Sequence, residues 1–155
     1  MTALTSDRNT PSTLGDIRQG SMAADEKIFA GAFVMRNAAG YLVKGVTGLN
    51  LIGVGRAEDT IDNTGGANGG ASLTYRAGVF RYVNDGTDPI TMADIGQVCF
   101  VIDDQIVAKT DGTATRSRAG IVELIETQGV WVRFDEALAR AAVLSPREYK
   151  PPQLQ

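Results

Sequence analysis

Few side chains in this sequence combine the types and spacing that chemistry requires. The densest candidate is the glycine cluster in "DNTGGANGGAS", with Gly65, Gly66, Gly69 and Gly70 inside nine residues of one another. A phosphate cradle of the P-loop type needs a lysine for the phosphates and a serine or threonine for magnesium directly after its last glycine. No lysine follows Gly70. A dinucleotide-binding fingerprint must open a helix, whereas "SLTYRAGVFRYV" after this cluster reads as strand. The glycines are therefore expected to form a mobile loop between strands over 50–57 and 72–83.

The remaining chemistry thins out quickly. Histidine is absent, which removes the commonest general base, the commonest metal ligand and every histidine-containing triad. Cys99 is the one cysteine, so no internal disulfide and no cysteine-based zinc site can form. It lies in the apolar run "GQVCFVID" and is expected to be a buried, inert core thiol. Asp103 and Asp104 are adjacent, and neighbouring residues of a strand face opposite ways. A glycosidase needs two carboxylates facing each other across a cleft, while aspartates in a hairpin turn accept nearby backbone N–H groups. "DDQI" also lacks the alternating oxygen ligands of an EF-hand loop. Glu123 and Glu126 read as solvated. Tyr75, Phe80, Tyr82 and Trp131 could form a sugar-binding platform, but packing in a core is the preferred reading, with Arg76 and Arg81 on a solvated face. The expectation is a protein that is not an enzyme, with no catalytic residue, no cofactor and no metal site.

The elements that would position these residues are mostly strands. The chain of 155 residues is 43% hydrophobic, which suits one domain with a real core. Fifteen basic against eighteen acidic residues give a formal charge of −3, unlike the basic face of a DNA binder. No stretch approaches the roughly 20 apolar residues of a membrane span, and the first residues lack the apolar centre of a secretory signal. A soluble protein made in a cytoplasm is expected, with neither nucleic acid nor membrane as partner. Residues 1–22 are polar and aperiodic and read as a flexible N-terminal arm. Residues 23–145 read as the β-domain, and residues 146–155, "PREYKPPQLQ", as a proline-rich extended tail.

Within the β-domain, "KIFAGAFVMRNAAGYLVKGV" predicts a hairpin turning at Gly40, which can take positive φ. "GQVCFVIDDQIVAKT" predicts a second hairpin turning at Asp103 and Asp104, and "GIVELIETQGVWVRFD" a third turning near Gly129. In "SLTYRAGVFRYV" the alternation Leu73, Tyr75, Ala77 changes phase at Phe80 and Tyr82, for which a bulge at Gly78 is expected. Residues 135–144 predict the one helix, capped by Asp135 and burying Leu138, Ala141 and Ala142. "TMADIG" predicts a single turn. Short strands at close intervals imply an all-β barrel or sandwich with hairpins, a short C-terminal helix and extended arms.

The segments "AGAFVMRNAAGYLVKG", "GVGRAEDTIDNTGGANGGASLTYRAGVFRYVN", "ADIGQVCFVIDDQIVAKT" and "RSRAGIVELIETQGVWVRF" occur in that order. Together, over about residues 28–134, the chain resembles the capsid cement, or head decoration, proteins of tailed bacteriophages. The resemblance implies a small β-barrel or sandwich on the outer surface of the virion head, commonly a trimer bridging major capsid subunits. The expected partners are thus the major capsid protein and the chain itself. Leu14, Ile17, Arg18 and Met22 of the loose arm are the expected capsid contacts. The alternative is a carbohydrate- or receptor-binding display module.

Overall fold

A computed structural model of the chain describes residues 5–11 and 15–142. In chain order the strands are β1 (Ile17–Ser21), β2 (Lys27–Ile28), β3 (Phe33–Asn37), β4 (Leu42–Lys44), β5 (Leu51–Ala57) and β6 (Ile61–Asp62). They continue with β7 (Ser72–Arg76), β8 (Val79–Asn84), β9 (Val98–Val101), β10 (Ile106–Ala108), β11 (Arg118–Glu126) and β12 (Gly129–Arg133). One helix, α1 (Glu136–Ala141), follows, and Met92–Asp94 forms a single 3-10 turn. The fold is all-β.

Five strands close on themselves. β11 pairs with β12, β12 with β8, β8 with β10, β10 with β9, and β9 returns to β11, which makes a closed five-stranded barrel. Its interior holds the alternate residues of each strand, among them Cys99, Val101, Val107, Val122, Val130 and Val132, as the two-residue period of a strand demands. β-branched side chains suit such a pleated, tightly curved wall. The 9-residue β11 carries register shifts at Ala119 and at Glu123. Each extra residue sharpens the local twist and lets one strand turn from β9 towards β12.

Five further strands extend the same sheet as a flank, in the order β1-β7-β5-β3-β4, joined to the barrel where Ile52 of β5 pairs with Arg118 of β11, while β2 and β6 pair separately. At this junction the two backbones nearly touch. A Cβ on Gly53 would collide with the Ala119 carbonyl, so only glycine fits. The second core contains Met22, Ile28, Val34, Leu42, Leu73 and Tyr75. Phe33 of β3 is a member of the barrel core instead, with its ring 4.8 Å from Phe134 and 5.0 Å from Tyr82. That aromatic cluster couples the two halves.

The three predicted hairpins are present, with Gly40 at φ +92° in the first. In the second, Asp103 Oδ1 accepts from the amides of Gln105 and Ile106, the expected turn chemistry. Three expectations need correction. Gly78 is no bulge within one strand, because β7 pairs with β1 and β5 in the flank and β8 with β10 and β12 in the barrel. The change of phase marks a change of partners. The helix is shorter than predicted, and although Asp135 does cap it by accepting from the Leu138 amide, Ala139 is its buried residue while Leu138 is exposed. The domain boundary also moves, since residues 17–22 belong to the folded sheet rather than to an arm. The proline-rich tail lies outside the described residues.

Candidate functional site

The arm and the edge strand it feeds form the first candidate surface. Residues 5–11 are exposed throughout, and among the described residues β1 pairs only with β7. Alternation along β1 sends Ile17 and Arg18 to opposite faces. Ile17 is half-exposed, opposite Arg76 in the register. Arg18 borders a hollow of about 450 Å³ between the sheet and α1, together with Val54, Phe134 and Glu136. Of the four expected contact residues, Ile17 and Arg18 are accessible and near one another. Leu14 lies outside the described residues. Met22 corrects the expectation: it is fully buried, bridges Leu42 of β4, and is part of the chain's own core. An apolar side chain directly after an edge strand gains more by closing that sheet than by waiting for a partner.

The glycine cluster is a braced loop. β6 within it pairs with β2. Asn63, buried, donates from Nδ2 to the carbonyls of Ala23 and Ala67 at 2.8 and 3.0 Å. The Gly69 amide donates to the Met22 carbonyl, the Gly65 amide to Asp25 Oδ1, and the Ala24 amide to Asn68 Oδ1. A Cβ on Gly66 would strike Asn63 Oδ1. These glycines admit the backbone close to a buried amide, which corrects the expectation of a mobile loop. Asp62 in the same loop is held down at about 2 by hydrogen bonds from Thr64 and by Lys27 beside it.

The outer wall of the barrel is the second candidate surface. Trp131 lies between Arg81 of β8 and Leu124 of β11, and Val83 lies beside Ile106 of β10. Val79, Val83 and Leu124 are exposed, as are Met92 and Ile95 near the 3-10 turn. Ion pairs Arg81–Glu126 and Arg133–Glu123 flank this wall. The preference for core packing holds for Tyr75 and Tyr82, but Trp131 stands on the outside, with the Arg81 guanidinium 5.8 Å from its ring centre. Sequence reasoning missed this wall because it followed Phe80 and Tyr82 inward. The signal was present in β8 itself, where Val79 and Val83 occupy the opposite face and make both faces partly apolar.

Two side chains of the barrel core, Cys99 and Tyr82, are held in their neutral forms. Burial pushes the Cys99 thiol up to about 12, and its Sγ lies 3.6 Å from the Gly120 carbonyl, so it stays protonated and unreactive. Burial likewise raises the Tyr82 phenol well above its ordinary value. Among the described residues there is no group of three or more aspartate, glutamate or cysteine side chains placed to hold a metal ion. No helix among them is long and apolar enough to cross a membrane. Comparison of the chain with family models, with curated proteins and with solved structures gives no match.

Proposed function

We propose that this chain is a structural protein of a bacteriophage head, which binds the outside of the mature capsid and bridges neighbouring major capsid subunits. The observation that carries this reading is the exposed segment 5–11 ahead of an edge strand, β1, which among the described residues pairs with β7 alone. An unpaired strand edge offers a row of backbone donors and acceptors to a partner chain. A polar arm can wrap a broad surface at the cost of being ordered there. The barrel's outer wall, with Val83, Leu124 and Trp131, suits self-association into the expected trimer. Such a trimer multiplies weak capsid contacts through effective concentration. Binding only the expanded lattice stabilises that lattice by mass action. Its role is to hold seams rather than to catalyse.

The test is genome release against temperature for decorated, stripped and re-decorated particles. Stripped shells are expected to lose DNA at lower temperature, added protein to restore resistance, and unexpanded shells to bind poorly. Release at one temperature for all three overturns the reading. The display alternative gains from Trp131 lying on the outer wall, and glycan binding that is lost in Trp131→Ala would favour it.

A further inference from the structure

The glycine cluster carries one dipeptide with chemistry of its own. Of the asparagines in the chain, Asn68 alone is followed by glycine; the others precede Thr10, Ala38, Leu51, Thr64 and Asp85. An asparagine Cγ is open to attack by the next residue's backbone nitrogen, and a Cβ on that residue crowds the approach. Glycine has none. Asn68 and Gly69 are both exposed. Apart from its chain neighbours, a Cβ on Gly69 would meet nothing closer than Tyr41 Cε1 at 3.8 Å, so an imide ring has room to form. Asn68 Oδ1 accepts from the Ala24 amide at 2.8 Å, a donor placed where negative charge develops during attack. One contact works against the reaction. The Gly69 amide donates to the Met22 carbonyl at 2.8 Å, so Met22 holds the proton that the nucleophile must lose.

We propose that Asn68–Gly69 is a self-modification site, converting to aspartate and isoaspartate, and that docking of its loop on Met22–Ala24, directly after β1, gates the conversion. Hydroxide takes the Gly69 amide proton, and the nitrogen's electron pair forms a bond to Asn68 Cγ. The bond from Cγ to Nδ2 breaks, and ammonia leaves into solvent with a proton from water. Water then opens the cyclic imide. Opening at Cγ gives aspartate; opening at the backbone carbonyl gives isoaspartate, whose main chain runs through the former side chain. The net change consumes one water and releases one ammonia. While the loop is docked, the reaction waits on local opening. Once it has run to isoaspartate, the lengthened main chain misplaces both partners, the acceptor for Ala24 and the donor to Met22. The new carboxylate also joins Asp25, which accepts from the Gly65 amide, and Asp62 in one loop region, and like charges repel. Conversion therefore unfastens the segment behind the edge strand and records the time it has spent open. This inference does not rest on the capsid reading.

The experiment ages the full chain in warm buffer at neutral and mildly alkaline pH, beside a free peptide of residues 62–71. Cleavage at arginine releases residues 57–76, and fragmentation mass spectrometry assigns the mass gain of NH2 replaced by OH to Asn63 or Asn68. An isoaspartyl methyltransferase labels the isomer. Asn68 is expected to convert before every other asparagine, and faster at the higher pH. Its rate in the folded chain should lie roughly tenfold below the peptide's, the scale of breaking one hydrogen bond. Asn63→Ala, which loosens the loop, should bring the two rates together. In the converted chain, separated by ion exchange, the Ala24 and Gly69 amides should exchange faster while β11 and β12 are unchanged. Conversion first at another asparagine, or none at Asn68, overturns the site. Equal rates in folded chain and peptide, or a rate unmoved by Asn63→Ala, overturn the gate, and unaltered exchange at Ala24 in the isoaspartyl form overturns its coupling to the edge strand.

Discussion

The barrel and the flanking sheet meet the same difficulty, an exposed strand edge, in different ways. The barrel removes its edges by closing β11 onto both β12 and β9, the complete solution. The flanking sheet closes at one end by a single bridge, Met22 to Leu42, and among the described residues leaves β1 paired on one side only. Their interiors differ accordingly. The barrel core is apolar apart from the Tyr82 hydroxyl and the Cys99 thiol, whereas the flanking sheet leans on polar braces. Arg36 alone donates to Glu136, to the Gly40 carbonyl and to the Tyr75 hydroxyl. The barrel is the scaffold, and the sheet with an open edge is the side where a partner strand can add.

The largest expected effect tests whether these halves are one cooperative unit. Phe33 belongs by sequence to the flanking sheet and by packing to the barrel. Phe33→Ala is expected to cost about 3–5 kcal/mol, the usual range for emptying an aromatic core position. The loss should appear as one thermal transition moved down as a whole, by calorimetry. Two separated transitions would mean that the halves fold independently and that the aromatic cluster couples nothing.

A smaller and more local loss is expected from the braced glycine loop. Asn63→Ala removes the amide donated to Ala23 and Ala67 and leaves the Ala23 carbonyl without that donor, while Ala67 keeps the Gly70 amide, at a cost of about 1–3 kcal/mol. Hydrogen exchange should quicken at residues 22–25 and 65–70 while the amides of β11 and β12 keep their protection. Uniform quickening would erase the distinction between scaffold and braced sheet.

Some of this architecture was legible in the sequence, and the exceptions share a cause. Hairpins were readable because turn and both strands lie within a few residues, as with Asn37–Gly40 and Asp103–Gln105. The partners of β7 and β8 were not. Two adjacent strands that part to different partners, one in the flank and one in the barrel, leave only a change of phase, which a bulge also explains. Asn63 was hidden for a similar reason: its partner Ala23 is forty residues away, and an asparagine among glycines reads as loop chemistry.

Acid should distinguish the barrel's connecting loops from its wall more gently. The carboxyls of Asp88 and Asp94, in the loop between β8 and β9, lie below the ordinary aspartate value. Burial opposes that shift. It is outweighed at Asp88 by hydrogen bonds from Thr110 and by Arg116, and at Asp94 by Thr91 and Lys109. A depressed folded pKa contributes stability that is complete above the unfolded value, near pH 4, and is lost as pH falls through the folded value. Exchange at the Thr91 and Thr110 amides should therefore rise below about pH 4, before the β11 and β12 amides respond. In Asp88→Asn the acid response at Thr110 should largely vanish, and its persistence would assign the effect to another group.

The smallest expected effect on stability belongs to the open side itself. Residues 5–11 are exposed throughout, so replacing them with a glycine–serine stretch of equal length should move stability by less than about 0.5 kcal/mol, the scale of surface changes. If β1 and its arm are where a partner strand adds, the same replacement should weaken attachment to expanded shells in a sedimentation assay. Ile17→Thr, on the exposed face of β1, should weaken it further while keeping a β-branched residue in the strand. An outer-wall variant, Leu124→Thr, should change self-association before it changes shell binding. If the arm replacement leaves attachment intact while Leu124→Thr abolishes it, the roles are exchanged: the barrel wall is the capsid-facing surface, and the open edge of β1 serves something else.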